Sequence, residues 1–398
     1  MDFGWTPAQR AVHDRMRALG AEADAAAPDD RMRVLARGGA LGLPIARDLG
    51  GEGLDLVTTA LAYEGLGATL RDGGVLLAAG AHLFGVALLL ARVGTPAQQR
   101  AWLPRMATGG CMATVAATEA GAGSDVASVQ ARADRTAAGY RVTGEKRYVT
   151  WADRADVYFT VARDGGGAGG APARGLTALL VPRAGAADAG AADAGAADAG
   201  AAAADTADAA GVRVGAPLAT AGLRGARLAP VSFRGCEVGP DALLGRAGAG
   251  LAVFQIAMTY ERALILAFRL GAMERALGEA VRFAREREIG GQAIARHQAV
   301  AHRAAQMKLR LETSRLLVYR AAWELDQGRR GQAEAALAKW HAADSAVLFA
   351  LDDLWLRGGA GYLEESGLPS AVNDALGGSI HSGTSDVLAT VVARWLGL

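Results

Sequence analysis

The chain has 398 residues, of which 51% are hydrophobic and 21% charged, so a large core is possible and global disorder is not expected. Its formal net charge of +1, from 42 basic and 41 acidic side chains, gives no electrostatic reason to expect a nucleic acid or an anionic membrane as partner. Cys111 and Cys236, its two cysteines, argue against a disulfide framework and for a reducing, cytoplasmic location.

Residues 1–112 predict a helical domain, because apolar residues recur three and four positions apart in Arg31–Leu41 and Thr58–Leu70. The start, Met1–Trp5, lacks the basic and apolar regions of a signal peptide. The stretch Gly74–Ala91 is apolar on every face and barely long enough to cross a bilayer. Since no second such stretch is expected, we interpret it as a buried core helix.

Residues 113–245 predict a β domain, with short β-type runs that turn signals such as Ala138-Gly139 and Gly144-Glu145 separate. The runs are Tyr140–Thr143, Arg147–Thr150, Val157–Ala162, Leu176–Val181 and Val231–Phe233. Within this domain, an insert at 184–211 repeats Ala-Gly-Ala-Ala-Asp with a period of five from Ala184 to Asp198. That period is neither helical nor strand-like, so a disordered loop inserted in a hairpin is predicted. Residues 246–398 return to long helices.

A run of small residues, Ala117–Asp125, lies where the helical pattern changes to the β pattern. Small residues let the backbone approach a ligand, and free N–H groups beside Ser124 suit a phosphate or the edge of a heterocycle. The run is not a Rossmann fingerprint, because no strand–turn–helix unit surrounds it.

The motif TEAGAGSD at 118–125, followed by GYRVTGEKRYVTWADRADVYF at 139–159, resembles the acyl-CoA dehydrogenase pattern TEPGAGSD…GxxLNGxKxWITNxxxADxxx. Similarity continues in LRGARLAPVSFRGCEVGPDALLG (223–245), REIGGQAIARHQ (287–298), GGAGY (358–362) and IHSGTSDVLATVVAR (380–394). The resemblance implies an α+β fold with an N-terminal helical domain, a central β-barrel-like domain and a C-terminal four-helix bundle. It also implies FAD at the junction of the β and C-terminal domains, reaching a neighbouring subunit of a homotetramer or homodimer.

The same resemblance assigns cofactor contacts by position. Ala117 and Thr118 would contact the pyrimidine edge of the flavin, and Gly123 and Ser124 its ribityl-pyrophosphate. Tyr148 would flank the ring and Thr150 would reach N5. The residues expected to hold the FAD of a partner subunit are Arg287, Gln298, Gly358 and Gly359, and those expected on the adenosine-diphosphate side are Thr384 and Asp386.

Several positions depart from the family pattern. Ala120 stands where proline is usual, Gly290 where an aromatic residue is usual, and Trp355 and Arg357 replace the usual residues before the glycine pair. These changes leave the details of the subunit-bridging contacts open.

The position that carries the catalytic carboxylate in most of the family is occupied here by Ser382, which cannot act as a comparable base. A minority branch, similar to isovaleryl- and long-chain acyl-CoA dehydrogenases, places its glutamate on the first long helix of the C-terminal domain. Glu261 occupies that position. Its neighbours at three and four residues are Ala257, Met258, Leu264 and Ile265, so its carboxylate is expected to be partly desolvated. The structural alternative is a glutamate paired with an arginine or tilted toward solvent.

We therefore expect FAD-dependent α,β-dehydrogenation of an acyl thioester, with Glu261 as the base and a flavoprotein as electron acceptor. The residues expected to contact the substrate are Ser124, Tyr260, Arg262, His381 and Ser382. The acyl group is expected on CoA or on a carrier protein, since the helix-borne Glu-Arg and the Ser-Gly-Thr-Ser-Asp tail resemble prolyl-carrier dehydrogenases of secondary metabolism. A flavin oxidase or monooxygenase, or a catalytically silent relative, remains an alternative. The histidines show no ligand spacing, so no metal site is expected.

Overall fold

The computed structural model describes residues 4–165, 175–183 and 211–398. The insert at 184–211, predicted to be disordered, lies outside these residues except for Gly211.

The N-terminal part of the chain is helical. Its elements are α1 (Pro7–Ala25), α2 (Arg31–Arg37), α3 (Leu56–Thr69), α4 (Gly73–Gly80), a π-helical segment (Ala81–Ala87), α5 (Leu88–Val93) and α6 (Pro96–Ala107). Both α1 and α6 begin at a Thr-Pro-Ala-Gln sequence. In each, the threonine and the glutamine form a capping box, so the same four residues start both helices.

The middle part forms one eight-stranded mixed sheet. Its strands are β1 (Ala113–Ala116), β2 (Arg132–Thr136), β3 (Gly139–Val149), β4 (Val157–Asp164), β5 (Leu176–Pro182), β6 (Val212–Val214), β7 (Ala229–Val238) and β8 (Leu243–Leu244). The strand order is β6-β7-β3-β2-β4-β5-β8, and β1 pairs with β4 in parallel.

One predicted turn is wrong. Gly144-Glu145 lies inside β3, so the runs Tyr140–Thr143 and Arg147–Thr150 belong largely to one strand. The register of β3 against β7 shifts at 142/143 and again between Lys146 and Val149. Glycine at 144, with φ +150° and its Cα against Ala131, accommodates an irregularity in the strand instead of a reversal.

The C-terminal part is helical again. Its elements are α7 (Gly250–Leu264), α8 (Ala267–Glu286), a hairpin of β9 (Glu288–Ile289) and β10 (Gln292–Ala293), α9 (Gln298–Asp326), α10 (Gln332–Arg357), α11 (Gly359–Tyr362), α12 (Leu368–Gly378) and α13 (Ser385–Trp395). The long helices α7 to α10 pack together as a four-helix bundle. The predicted α+β fold is confirmed, while the limits 1–112, 113–245 and 246–398 stay predictions.

Within the described residues, two helical stretches are long and apolar enough to cross a membrane by length and composition, Gly73–Val93 and Gly250–Glu286. The sequence pattern predicted only the first of these stretches. The second is interrupted at Ile265–Leu266, between α7 and α8. The most apolar window of Gly73–Val93 is 94% buried inside the protein, as predicted for a core helix, and that of the second stretch is 61% buried.

Helices α3 and α8 approach each other to backbone contact. A Cβ atom added to Gly67 would lie 1.8 Å from the carbonyl oxygen of Phe268, and one added to Gly271 would lie 1.9 Å from that of Glu64. Two glycines that face opposite ways across one helix pair therefore fix the distance between the N-terminal helices and the bundle.

A buried ion pair joins α3 to α9. Glu64 is fully buried, and its Oε1 accepts a 2.9 Å hydrogen bond from Nε of Arg315 while its Oε2 accepts one from the Tyr319 hydroxyl. At the start of α3, Asp326 of α9 accepts hydrogen bonds from the backbone N–H groups of Leu56 and Val57. Polar contacts thus hold α3 to α9 at two places along its length.

The substitution Arg315→Met is expected to lower the free energy of unfolding by about 3–5 kcal/mol, because it leaves the Glu64 carboxylate buried without its cation. Denaturant unfolding at a fixed cofactor loading measures this loss. Arg33→Ala, which breaks an exposed pair with Asp30, is the matched control and is expected to cost less than about 1 kcal/mol. Equal losses in the two variants would contradict the importance of the buried pair.

Candidate active site

The α7 helix presents one carboxylate within an apolar face. Glu261 is 7% exposed, and its neighbours Ala257, Met258, Leu264 and Ile265 are all buried. The helical spacing in the sequence therefore located the burial of this side chain correctly.

The two oxygens of Glu261 have different surroundings. Oε1 accepts a hydrogen bond from the Ser382 hydroxyl. Oε2 is buried and, among the described residues, has no hydrogen-bond partner. A Cβ atom on Gly85 would lie 2.8 Å from Oε2 and 2.9 Å from Cγ2 of Val115, so this oxygen packs closely against Gly85, where no larger side chain would fit. The carboxylate is therefore held by the Ser382 hydroxyl and not by an arginine, as the structural alternative would require.

The turn that carries Ser382 is fixed through its main chain. Arg262 Nε donates to the carbonyl oxygen of Ser382 at 2.9 Å, and Lys339 Nζ donates to that of Gly383 at 2.7 Å. Ser382 has φ +56°, in the left-handed region. His381 Nδ1 lies 3.0 Å from the Ser382 hydroxyl oxygen. The predicted substrate residues Arg262, His381 and Ser382 are therefore brought together around Glu261.

Burial dominates the electrostatics of this cluster. It raises the pKa of Glu261 above its usual value, while the Ser382 hydrogen bond and the charges of Arg262 and Lys339 act in the opposite direction. Burial, with a further contribution from Arg262, lowers the pKa of Lys339 to about 7. Burial therefore disfavours the charged forms of both side chains.

Lys339 was not singled out from the sequence. It is fully buried on α10 among alanines, including Ala335, Ala338, Ala342 and Ala343. The sequence did contain a signal for this residue: it is a single lysine on a helix face of otherwise small apolar residues. A lysine in such a position needs a buried hydrogen-bond acceptor, which indicates a structural or functional partner.

The predicted pyrimidine-contact residues, Ala117 and Thr118, lie directly after β1. A second lysine missed from the sequence holds them: the fully buried Lys146 donates to the carbonyl of Ala117 at 3.1 Å and to Glu119 Oε1 at 2.8 Å. The Glu119 carboxylate in turn accepts from the backbone N–H groups of 130 and 131. The loop after β1 is thereby anchored to β3.

Tyr148 and Thr150 lie at the end of β3 beside this loop. Tyr148 is 58% exposed, and its backbone lies in the left-handed region with φ +56°. Thr114 in β1 donates from its hydroxyl to the Thr150 carbonyl at 2.6 Å. A strained residue that displays a bare aromatic ring suits a flat ring ligand, so these residues fit an isoalloxazine. Gly123 and Ser124 are exposed in the same loop.

Strand β1 connects the two groups of predicted residues. Val115 lies beside Gly85, the glycine that packs against Glu261. On the other side, Thr114 contacts Thr150, and Ala117, directly after the strand, contacts Lys146. The start of β1 is fixed to the π-helical segment by His82, whose Nδ1 accepts from the backbone N–H of Ala113 at 2.9 Å. Burial lowers the pKa of His82 to about 4, so this link holds with a neutral imidazole.

Other predicted residues lie apart from this cluster. Arg287, Gln298, Gly358 and Gly359 are exposed on the surface of the C-terminal part. Their predicted role toward a partner subunit's cofactor stays a prediction.

Thr384 is the N-cap of α13, where its hydroxyl accepts from Val387 N–H at 3.3 Å, and Asp386 is exposed in the first turn. Tyr260 is partly buried against the core, with Arg92 and Asp326 as charged neighbours. Among the described residues, no cluster of three or more histidines, cysteines or acidic residues could hold a metal ion.

Family models match nearly the whole chain in three consecutive parts. They are the acyl-CoA dehydrogenase N-terminal domain at residues 7–110, the middle domain at 114–236 and the C-terminal domain at 248–397.

Individual proteins with similar sequences and structures carry related names. An L-prolyl (peptidyl-carrier protein) dehydrogenase of Pseudomonas fluorescens is 35% identical over 100% of both chains. The solved structure of PigA with FAD and proline is 29% identical, with a TM-score of 0.89 over 100% of both chains. The prolyl acyl carrier protein oxidase AnaB is also 29% identical, with a TM-score of 0.86 over 99% of this chain and 100% of that one.

The raised pKa of Glu261 predicts a pH-dependent effect of Glu261→Gln on stability. A carboxyl whose pKa is higher in the folded than in the unfolded state stabilises the fold at low pH and loses that contribution as pH rises. The melting temperature of the glutamine variant should therefore gain on that of the unmodified protein between about pH 5 and about pH 8. If the melting temperature of the glutamine variant keeps a constant offset from that of the unmodified protein over this interval, or falls relative to it, Glu261 is not desolvated.

Proposed function

Since the chain belongs to the acyl-CoA dehydrogenase family of FAD-dependent oxidoreductases, we propose that it oxidises a prolyl group held as a thioester on a carrier protein. The prolyl-carrier names of the relatives in Pseudomonas fluorescens and Serratia support this substrate. The protein works in the cytoplasm, in keeping with its two cysteines, Cys111 and Cys236, which are buried and form no disulfide.

The observation that carries the proposal is the free oxygen of Glu261. Oε2 is buried, lacks a hydrogen-bond partner among the residues described, and packs against Gly85. A desolvated carboxylate oxygen whose lone pairs are not used by a protein donor can take the weakly acidic proton next to the thioester carbonyl. Glu261 therefore acts as the catalytic base.

The cofactor is held by the loop after β1 and by the end of β3. Ala117 and Thr118, anchored through Lys146, present backbone groups to the ring edge, and Tyr148 and Thr150 flank it. Bound FAD supplies the oxidising capacity by accepting a hydride from the substrate carbon next to the deprotonated one. Because Val115 of β1 also lies beside Gly85 and Glu261, β1 runs between the base on α7 and the cofactor loop.

An oxidase of the same substrate is the second candidate, because the similar AnaB structure bears that name. The two functions share the deprotonation by Glu261 and differ in whether a flavoprotein or O₂ takes the electrons afterwards. A monooxygenase or a silent relative would not need the free base oxygen.

A homotetramer or homodimer completes the cofactor site in this proposal. Leu309, Leu316 and Trp323 lie seven residues apart on α9 and are 62%, 50% and 46% exposed. Seven-residue spacing places them on one helix face, and an apolar stripe of this kind suits burial against another copy of the chain. Such packing would bring Arg287, Gln298 and Gly358-Gly359 to a neighbouring FAD.

Anaerobic bleaching of the flavin absorbance tests the substrate. The panel contains prolyl and simple acyl groups, each loaded on CoA and on a phosphopantetheinyl carrier protein. The prolyl-carrier thioester should reduce the flavin fastest, and Glu261→Gln should keep the yellow flavin but slow its reduction by about 10²–10⁴-fold.

Faster reduction by the CoA thioesters would contradict the carrier assignment, and undiminished reduction by Glu261→Gln would remove Glu261 from its role. Admitting air or an electron-transfer flavoprotein to the reduced enzyme then separates oxidase from dehydrogenase.

The substitution Gly85→Ala is expected to slow flavin reduction about 10²-fold, because its Cβ would displace the Glu261 carboxylate by a few tenths of an ångström or more. Gly278→Ala in α8, where an added Cβ meets nothing within 4 Å, is the control. Stopped-flow reduction and circular dichroism are measured together. A folded Gly85→Ala enzyme with the unmodified rate would show that Oε2 is not the reacting oxygen.

A further inference from the structure

The Ser382 hydroxyl is placed to control Glu261. It donates to Oε1, while Oε2 stays without a partner within the described part of the chain. The resemblance assigned Ser382 to the substrate, but the contact that the side chain makes is with the carboxylate of α7. A hydroxyl that donates to one oxygen of a carboxylate restricts its rotation and distinguishes its two oxygens.

The position of this hydroxyl is set by the backbone. Arg262 and Lys339 bind the carbonyl oxygens of Ser382 and Gly383, which belong to the two successive peptide groups that follow the serine. The left-handed φ of +56° at Ser382 then directs its Cβ toward Glu261. The side chain therefore needs little rotamer freedom to reach the carboxylate.

His381 gives the hydrogen-bond chain its direction. Because the serine hydroxyl donates its single proton to Glu261, it must accept from the 3.0 Å contact with His381 Nδ1. Burial holds the pKa of His381 well below its usual value, so the imidazole is neutral. Its proton is placed on Nδ1 because the serine hydroxyl needs a donor at this contact. His381, Ser382 and Glu261 thus form an ordered chain of donors that ends at Oε1.

We propose that Ser382 is a positioning residue for Glu261, whose hydroxyl holds Oε1 and leaves Oε2 as the atom that accepts the substrate proton. This inference rests on the proposed function, since it assumes that Glu261 is the base. In a fold whose usual carboxylate at this turn is absent, the serine serves the base that lies on the helix.

The charged and titratable groups around Glu261 determine how its pKa responds to the loss of the serine hydroxyl. Arg262 on the same helix and Lys339 on α10 are the cations near it, and His381, which contacts Ser382, is neutral. The segments of Gly85 and Val115 contribute apolar contacts. The hydrogen bond from Ser382 favours the ionised carboxylate, so its loss raises the pKa of Glu261 further. The acidic limb of flavin reduction should then move to higher pH.

Two variants of the FAD-loaded enzyme test the proposal. Ser382→Ala removes the hydroxyl and keeps the Cβ, and Ser382→Gly removes both but tolerates a left-handed φ. Each should move the acidic limb upward by about one pH unit, the effect of one hydrogen bond to a charged group. Ser385→Ala, three residues along, removes a hydroxyl that donates to Asp344 at 2.7 Å and should leave the pH profile unchanged.

A second readout is independent of turnover. The protonated Glu261 carboxyl has an infrared band, which is identified by its absence in Glu261→Gln. The intensity of this band is followed as a function of pH without substrate, and its titration midpoint should move to higher pH in both serine variants. An unchanged titration midpoint in either variant overturns the proposal. A shift in the alanine variant alone also overturns it, because the shift would then come from strain of the backbone at the left-handed φ and not from the lost hydroxyl. If Glu261→Gln reduces flavin normally while the band still shifts, the proposed function fails and the positioning contact stands.

Discussion

The close packing of α3 on α8 is the constraint on which the geometry of the site depends. Glu261 lies on α7, but its free oxygen packs against Gly85 of the N-terminal helices, which in turn lies against Val115 of β1. These segments keep their positions only if the N-terminal helices are held at a fixed distance from the bundle. Backbone contact at Gly67 and Gly271 sets that distance, because packed cores transmit displacements instead of absorbing them.

Two buried lysines serve the site in the same way. Lys146 donates to a backbone carbonyl of the cofactor loop, and Lys339 donates to a backbone carbonyl of the turn that carries Ser382. Each is fully buried, and each holds an irregular segment that has no ladder or helix to satisfy its carbonyl groups. The loops on both sides of the active site are therefore ordered by ammonium groups that come from regular elements.

The sequence predicted what depends on local pattern. Helical spacing predicted the burial of Glu261, and ordered motifs predicted the fold. It did not predict the roles of Lys146, Lys339 or the Ser382 hydroxyl, because their partners lie 29, 44 and 121 positions away in the chain. The turn expected at Gly144 was wrong for a related reason: a glycine and a charged residue are typical of turns, and only the pairing with β7 shows that the strand continues.

The π-helical segment Ala81–Ala87 bears on how this protein can vary in evolution. A π turn holds one residue more than an α turn. Deleting one residue there would return the segment to α turns and leave the flanking helices in place, but it would bring a different side chain to the position of Gly85, against Glu261 and Val115. A change of one residue in the length of this segment would therefore alter the surroundings of Glu261 even though both flanking helices keep their positions.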